Sequence, residues 1–301
     1  MTLSRARLSL EGLSIGDAFG QRFFVNDAVV ESFVDARALP SEPWYWTDDT
    51  AMALSIVEVL DELGRIEPDA LALRFAHRYR RDPRRGYGGT AHSILMSISL
   101  GEPWAEAAAA AFDGQGSMGN GAAMRSAPIG GFFADDLDAV VRHARASAVP
   151  THAHEDGQAG AIAVAVAAAM AARSADADAL FREVLVRTPP GPTRTGLMEA
   201  ATVARDVEPR EVARRLGSGY RVISSDTVPF AIWCAARHLD DFVEALWTTV
   251  SGLGDRDTTC AIVGGIVALS VGPGGIPPEF TRAREPLDST LTHLERRVDL
   301  G

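Results

Sequence analysis

An all-α protein is the fold class this chain predicts, and three observations carry it. Apolar residues recur at helical spacing along most of its 301 residues, strand-like alternation is scarce, and the helical runs are joined by acidic or glycine-rich strings. The first clear run follows Thr47-Asp48-Asp49-Thr50 and places Ala53, Ile56, Val57 and Leu60 on one face. Leu71, Phe75, Ala76 and Tyr79 mark the next. Runs over residues 135–148 and 157–172 come after it, and the second is apolar on every side, as a helix at the centre of a core would be. Further runs cover residues 197–205, 209–216, 226–239, 241–250 and 260–270. Pro229 is expected in the first turn of the 226–239 helix, where a missing N–H costs nothing. Gly264-Gly265 is unfavourable inside a helix, so another backbone is expected to pack closely there. Residues 23–25 and 29–34 are the only fair strand candidates, and no repeat of solenoid length is present.

Size and charge narrow the function. With 47% hydrophobic residues the chain can bury a large core, and no linker or low-complexity tract marks a seam. A single domain over residues 1–301 is expected, with 281–301 as a peripheral C-terminal helix or tail. The formal net charge of −11 argues against a nucleic-acid backbone as partner. Cys234 and Cys260 both sit in apolar helical runs and read as small buried hydrophobes. The first residues lack the apolar stretch of a signal peptide, and the Ala-rich segment 161–172 is too short to span a bilayer. A cytoplasmic protein that does not enter the membrane is the expectation.

Two acidic strings carry the sharpest chemical signal. Thr47-Asp48-Asp49-Thr50 and Asp255-Arg256-Asp257-Thr258 each open an apolar helical run about two hundred residues apart. An Asp or Thr at a helix start ordinarily caps a free backbone N–H. Two starts of the same composition, each with two carboxylates beside a hydroxyl, also suit a shared site for hard divalent cations such as Mg²⁺. The segment from Gly114 to Arg125 holds four glycines in its first eight residues and reads either as a tight turn or as an anion nest of N–H groups. Thr151-His152-Ala153-His154 lacks a third zinc ligand nearby; His154 reads as a helix-start residue and His152 as a hydrogen-bond partner for a phosphate, a ribose or a neighbouring carbonyl. No nucleophile elbow supports a serine hydrolase.

Taken in order, Gly16-Asp17-Ala18-Phe19-Gly20, Trp46 to Thr50, Gly116 to Arg125, Thr151-His152 and Gly254 to Thr258 resemble the ADP-ribosylglycohydrolase family over residues 8–276. The resemblance implies an orthogonal helical bundle with a binuclear metal cleft holding two Mg²⁺ ions, or Mn²⁺ in some relatives. It implies hydrolysis of the bond joining the terminal ribose of ADP-ribose to a protein side chain or other acceptor. Carried over by position, Thr47, Asp48, Asp49, Asp255, Asp257 and Thr258 would be metal ligands. Gly116, Ser117, Met118, Gly119 and Asn120 would line the diphosphate and adjacent sugar, with His152 close by. Phe112 falls where some relatives set an aromatic against adenine, and Met118 where some carry a second one. The chain departs from many relatives at Phe24, which stands in place of a family glutamate, and at Tyr87, in a loop where others use an aspartate. The expected general base is therefore Asp48 or Asp49, with Glu31 more distant. A non-catalytic ADP-ribose or nucleotide binder and a hydrolase of another N- or O-glycoside are the competing readings, and the acceptor stays unnamed.

Overall fold

The computed structural model describes residues 2–287; of the expected peripheral tail, residues 288–301 lie outside them. The chain runs through α1 (Leu3–Gln21), α2 (Asp27–Ala36), α3 (Asp48–Leu63), α4 (Pro68–Arg81), α5 (Gly89–Ser99) and α6 (Trp104–Gly114). It continues with α7 (Ala127–Phe132), α8 (Leu137–Ala148), α9 (Glu155–Ala172), α10 (Ala177–Arg187) and α11 (Pro192–Ala200). The last are α12 (Pro209–Leu216), α13 (Ser224–Arg237), α14 (Phe242–Ser251), α15 (Arg256–Val271) and α16 (Pro278–Ala283). The fold is all-α: no strand occurs among the described residues, only isolated bridges at Trp44–Arg284 and Gly119–Ile223. No described helix is long and apolar enough to cross a membrane.

Three helices set the frame. The alanine-rich α9 is buried on every side from Ala159 to Ala171, as its all-round apolarity requires. Beside it α15 packs against α1 at unusually short range, because α1 carries a glycine on each successive turn. A Cβ on Gly12 would lie 2.3 Å from the Gly264 carbonyl oxygen, one on Gly16 2.0 Å from that of Cys260, and one on Gly20 2.2 Å from that of Arg256. Gly264 is thus the close-approach position its unfavourable propensity marked. The short approach also fixes a charge: Asp17 follows Gly16 on α1 and is carried, fully buried, to the start of α15.

The structure corrects several expectations. Residues 29–34 belong to α2, whose start is capped by the Asn26 side chain accepting from Ala28 N–H at 3.0 Å. Val30 is the buried residue of that helix, with Phe33 and Val34 half-buried beside the core; the i, i+3, i+4 spacing prevailed over a short β-branched run. Residues 23–25 form a turn. Pro229 falls in the second turn of α13, since that helix begins at Ser224, and the Ser225 carbonyl thereby loses its intrahelical donor. The cysteines are free and buried as expected.

Candidate active site

The two acidic helix starts meet, and neither is an ordinary cap. Thr47 and Asp255 precede α3 and α15 without any side-chain capping hydrogen bond. The first turn of α3 is capped from another helix instead. The Asp17 carboxylate accepts from Thr47 N–H at 2.9 Å, Thr47 Oγ1 at 2.8 Å, Thr50 N–H at 3.1 Å and Thr50 Oγ1 at 2.5 Å. One oxygen each from Asp17, Asp49 and Asp257 lies within 4.8 Å of the others. Asp17 is the cluster residue not expected from the sequence. Its signal was present, as a lone carboxylate in the apolar turn Gly12 to Phe19.

The cluster has unmet needs that a cation would fill. Thr47 Oγ1 lies 2.8 Å from both Asp17 Oδ1 and Asp49 Oδ2, yet one hydroxyl proton serves only one of them. Asp49 Oδ1 is buried with no hydrogen-bond partner among the described residues. Burial, then the neighbouring carboxylates, push Asp49 and Asp257 well above the usual carboxylate range. Burial and Asp17 raise Asp48 to about 7. Asp17 rises to about 6 by burial, against its four hydrogen bonds, and burial raises Asp255 too. A buried, crowded, all-oxygen donor set of this kind suits hard divalent ions.

This crowding has a measurable consequence in the chelated protein. Folded-state values above those of the unfolded chain mean that the fold binds extra protons, so stability falls as pH rises from about 4 to about 7. The melting temperature in EDTA is expected to drop by several degrees between pH 5.5 and 7.5, and Mg²⁺ to restore it most at the higher pH. A chelated protein equally stable at both values would contradict a shared acidic site.

Asp257 of this cluster, with Asp48, Asp255 and Thr258 beside it, lines a cleft of about 810 Å³. Phe112, Ser117, Met118, Gly119, Asn120 and His152 line the same cleft, so members of both expected sets share one cavity, which Thr47 does not line. Asp48 faces it, whereas Asp49 lies behind, 1% exposed. Gly116 sits behind the wall, where a Cβ would meet the His154 backbone nitrogen at 2.6 Å.

Several roles differ from expectation in detail. Asn120 Nδ2 donates to Asp255 Oδ2 at 2.7 Å and to Thr227 Oγ1 at 3.1 Å, so its amide holds an acid of the site. The anion nest is narrower than its glycines suggest. The N–H groups of Gly116, Gly119 and Asn120 are spent within the protein, and those of Ser117 and Met118 have no acceptor among the described residues. His152 is fully defined: Arg125 Nη2 donates to Thr151 Oγ1 at 2.9 Å, which lies 2.7 Å from His152 Nδ1. Burial and then the Arg125 charge lower His152 to about 3, so the ring is neutral. Donation of the single Thr151 hydroxyl proton to Nδ1 at 2.7 Å, rather than to the Ala148 carbonyl at 3.5 Å, would leave the ring proton on Nε2, near Gly119 and Gly121 at the cleft wall. His154 caps α9, accepting from Asp156 N–H at 3.0 Å.

Phe112 is held out at the mouth of the cleft by a strained backbone. It and Asp113 both adopt the left-handed region, at φ 53° and 55°, inside the kink that interrupts α6, and the ring is 57% exposed. A second cleft of about 580 Å³ adjoins the first, sharing Gly86 and Asp257 with it. Phe24 lines this cleft beside Thr47 and is 48% exposed, so it is no core residue. Glu31 pairs with Arg210 at the surface and lines neither cleft.

The ADP-ribosylglycohydrolase family profile matches residues 1–300. The chain is 30% identical over 339 aligned positions to "ADP-ribosylhydrolase ARH3" of Homo sapiens, covering 96% of this chain and 91% of that protein. It is 24% identical to "ADP-ribosylarginine hydrolase Tri1" of Serratia proteamaculans, over 92% of this chain and 74% of the relative. Among solved structures, one described as an "ADP-ribosylglycohydrolase-related protein complex" superposes with a TM-score of 0.67 at 24% identity, covering 94% of this chain and 93% of the other.

Proposed function

We propose that this chain, which belongs to the ADP-ribosylglycohydrolase family, hydrolyses the glycosidic bond between the terminal ribose of ADP-ribose and an acceptor, with divalent cations held by its acidic cluster. One observation carries the reading: a buried carboxylate oxygen of Asp49 without a partner, in a cluster of acids that reaches, through Asp257, the wall of a cleft large enough for a nucleotide. Asp17, Asp49, Asp255 and Asp257, with Thr47 and Thr258, would hold two Mg²⁺ ions, Mn²⁺ being the alternative with the same oxygen preference. Such ions would supply Lewis acidity toward the ribose hydroxyls and the attacking water.

The remaining roles fall to the chain itself. Departure of the acceptor builds positive charge on the ribose ring, which the surrounding carboxylates stabilise. Asp48 lines the cleft beside Asp255 and Asp257 and is not among the residues assigned to the cations, and it takes the proton of the attacking water. His152 Nε2 and the N–H groups of Ser117 and Met118, which have no acceptor among the described residues, would donate to the diphosphate and let an acidic protein hold an anionic ligand. Phe112 offers its face to adenine. Phe112→Ala should weaken ADP-ribose binding about tenfold, the worth of one base stack, with kcat nearly unchanged. Unchanged affinity by calorimetry would remove Phe112 from the adenine site. The unpaired buried cysteines suit a reducing compartment, and we assign the protein to the cytoplasm.

The deciding experiment incubates purified protein, with Mg²⁺ or with EDTA, against ADP-ribose linked to Arg, Ser, a nucleotide base and acetate. Release of ADP-ribose that needs Mg²⁺ supports the proposal. Tight ADP-ribose binding without cleavage of any substrate would replace it with a binding protein.

A further inference from the structure

A histidine in a hydrolase cleft has three uses: proton acceptor, cation ligand or proton donor. His152 lines the larger cleft, with Nδ1 against Thr151 and Nε2 beside Gly119 and Gly121, which line the same cleft. We propose that Arg125 and Thr151 are positioning residues that fix His152 as a one-way donor through Nε2, reserving it for a phosphate oxygen and barring it from acting as base or cation ligand. The phosphate is that of the hydrolase reading, on which this inference rests; the place of the ring proton can be read without it.

Thr151 Oγ1 has one proton to give, and it already accepts from Arg125 Nη2 at 2.9 Å. A ring proton on Nδ1 would give Oγ1 a second donor and leave its own proton to the Ala148 carbonyl at 3.5 Å, the outer limit of a hydrogen bond. A ring proton on Nε2 lets Oγ1 donate to Nδ1 at 2.7 Å, and Nη2, Oγ1 and Nδ1 are all satisfied. Charge favours the same arrangement. Arg125 is fully buried, its guanidinium 4.4 Å from the centre of the Phe75 ring, with Nη2 also donating to the Ser147 carbonyl at 2.8 Å. Burial lowers it to about 9, which leaves it charged at neutral pH. A cation on one side of a hydroxyl turns the proton to the other side and makes it the stronger donor. Packing removes the remaining freedom, rotation of the ring. A Cβ on Gly157 would stand 3.1 Å from His152 Cδ2 and one on Gly121 3.3 Å from Cε1, so the ring fills the space these glycines leave.

Heteronuclear NMR of the full chain with nitrogen-labelled histidine reads the proton directly, the His152 ring being assigned by its loss in His152→Gln. Without ligand, the wild type should show a protonated Nε2 and an unprotonated, hydrogen-bonded Nδ1. Thr151→Val should abolish the hydrogen-bond shift of Nδ1 and weaken ADP-ribose binding about fivefold, the net worth of one hydrogen bond. In turnover that loss should fall on KM rather than kcat. Thr151→Ser should restore both the shift and the affinity. Arg125→Met removes the cation and should let an Nδ1-protonated form appear; if that variant does not fold, the wild-type spectrum and the Thr151 pair decide. A wild-type ring protonated on Nδ1, or a Thr151→Ser variant as weak as Thr151→Val, would overturn the proposal. So would a fall in kcat of about a hundredfold in Thr151→Val, the mark of a disabled base. A wild type with its proton on Nε2 that binds no ADP-ribose would instead overturn the hydrolase reading and leave the positioning of the ring intact.

Discussion

Asp257→Asn should lower kcat by about a thousandfold or more, equivalent to at least about 4 kcal/mol of transition-state stabilisation. Asp257 contributes one of the three mutually close carboxylate oxygens, and it is the acid shared by both clefts. Under the proposed reading, losing its charge removes a cation ligand at the point where the bond would be cut. The same change should not harm the fold. In EDTA at pH 7.5 the variant should melt at or above the wild-type temperature, because one of several repelling carboxylates has gone. Activity and calorimetric scans read the two effects separately. Retained turnover, or a chelated variant much less stable than the wild type, would show Asp257 to be structural.

Gly16→Val should be the most destabilising single substitution at the helix contact. Its Cβ would sit 2.0 Å from the Cys260 carbonyl oxygen, a backbone atom that cannot swing aside. α1 and α15 must then separate, at a cost of about 3 kcal/mol or more. The melting temperature should fall by about 5 °C or more for a chain of this size, and cation affinity should fall as well, because Asp17 moves with α1 away from Asp257. Gly16→Ala provides a milder form of the same displacement. Gly274→Ala is the control, since a Cβ there meets nothing within 4 Å, and it should change stability by less than about 0.5 kcal/mol. Equal melting temperatures for Gly16→Ala and Gly274→Ala would refute the close approach as the device that builds the site.

Much of this was legible in the chain, for identifiable reasons. Long helices with strong periodicity, such as α3, α9 and α15, are written in local spacing, and Gly264 announced a close neighbour by being unfavourable where it stands. The acidic strings announced themselves by repeating. What was not legible depends on partners distant in sequence. Asp17 looks like one charge in an apolar helix until α1 docks on α15 and brings it to the N–H groups of Thr47 and Thr50. Asn120 lies in a glycine loop that suggests nucleotide contact, yet its amide serves Asp255, 135 residues on. Phe24 and residues 29–34 misled because short apolar runs carry too few periods to separate strand, core helix and cleft wall. Asp48 and Asp49 are adjacent and equivalent in sequence; only the helix start turns one to the cleft and the other to the core.

The central claim is that this acidic cluster is a divalent cation site at the bond to be cleaved. Anomalous diffraction from crystals of the full chain grown with Mn²⁺ tests it most directly. The account predicts one or two manganese peaks within coordination distance of Asp49 and Asp257 oxygens, reached also by Asp17 or Thr47, and no such peaks for Asp257→Asn. A map without manganese between α1, α3 and α15, from crystals whose protein still releases ADP-ribose from its substrates in EDTA, would contradict it.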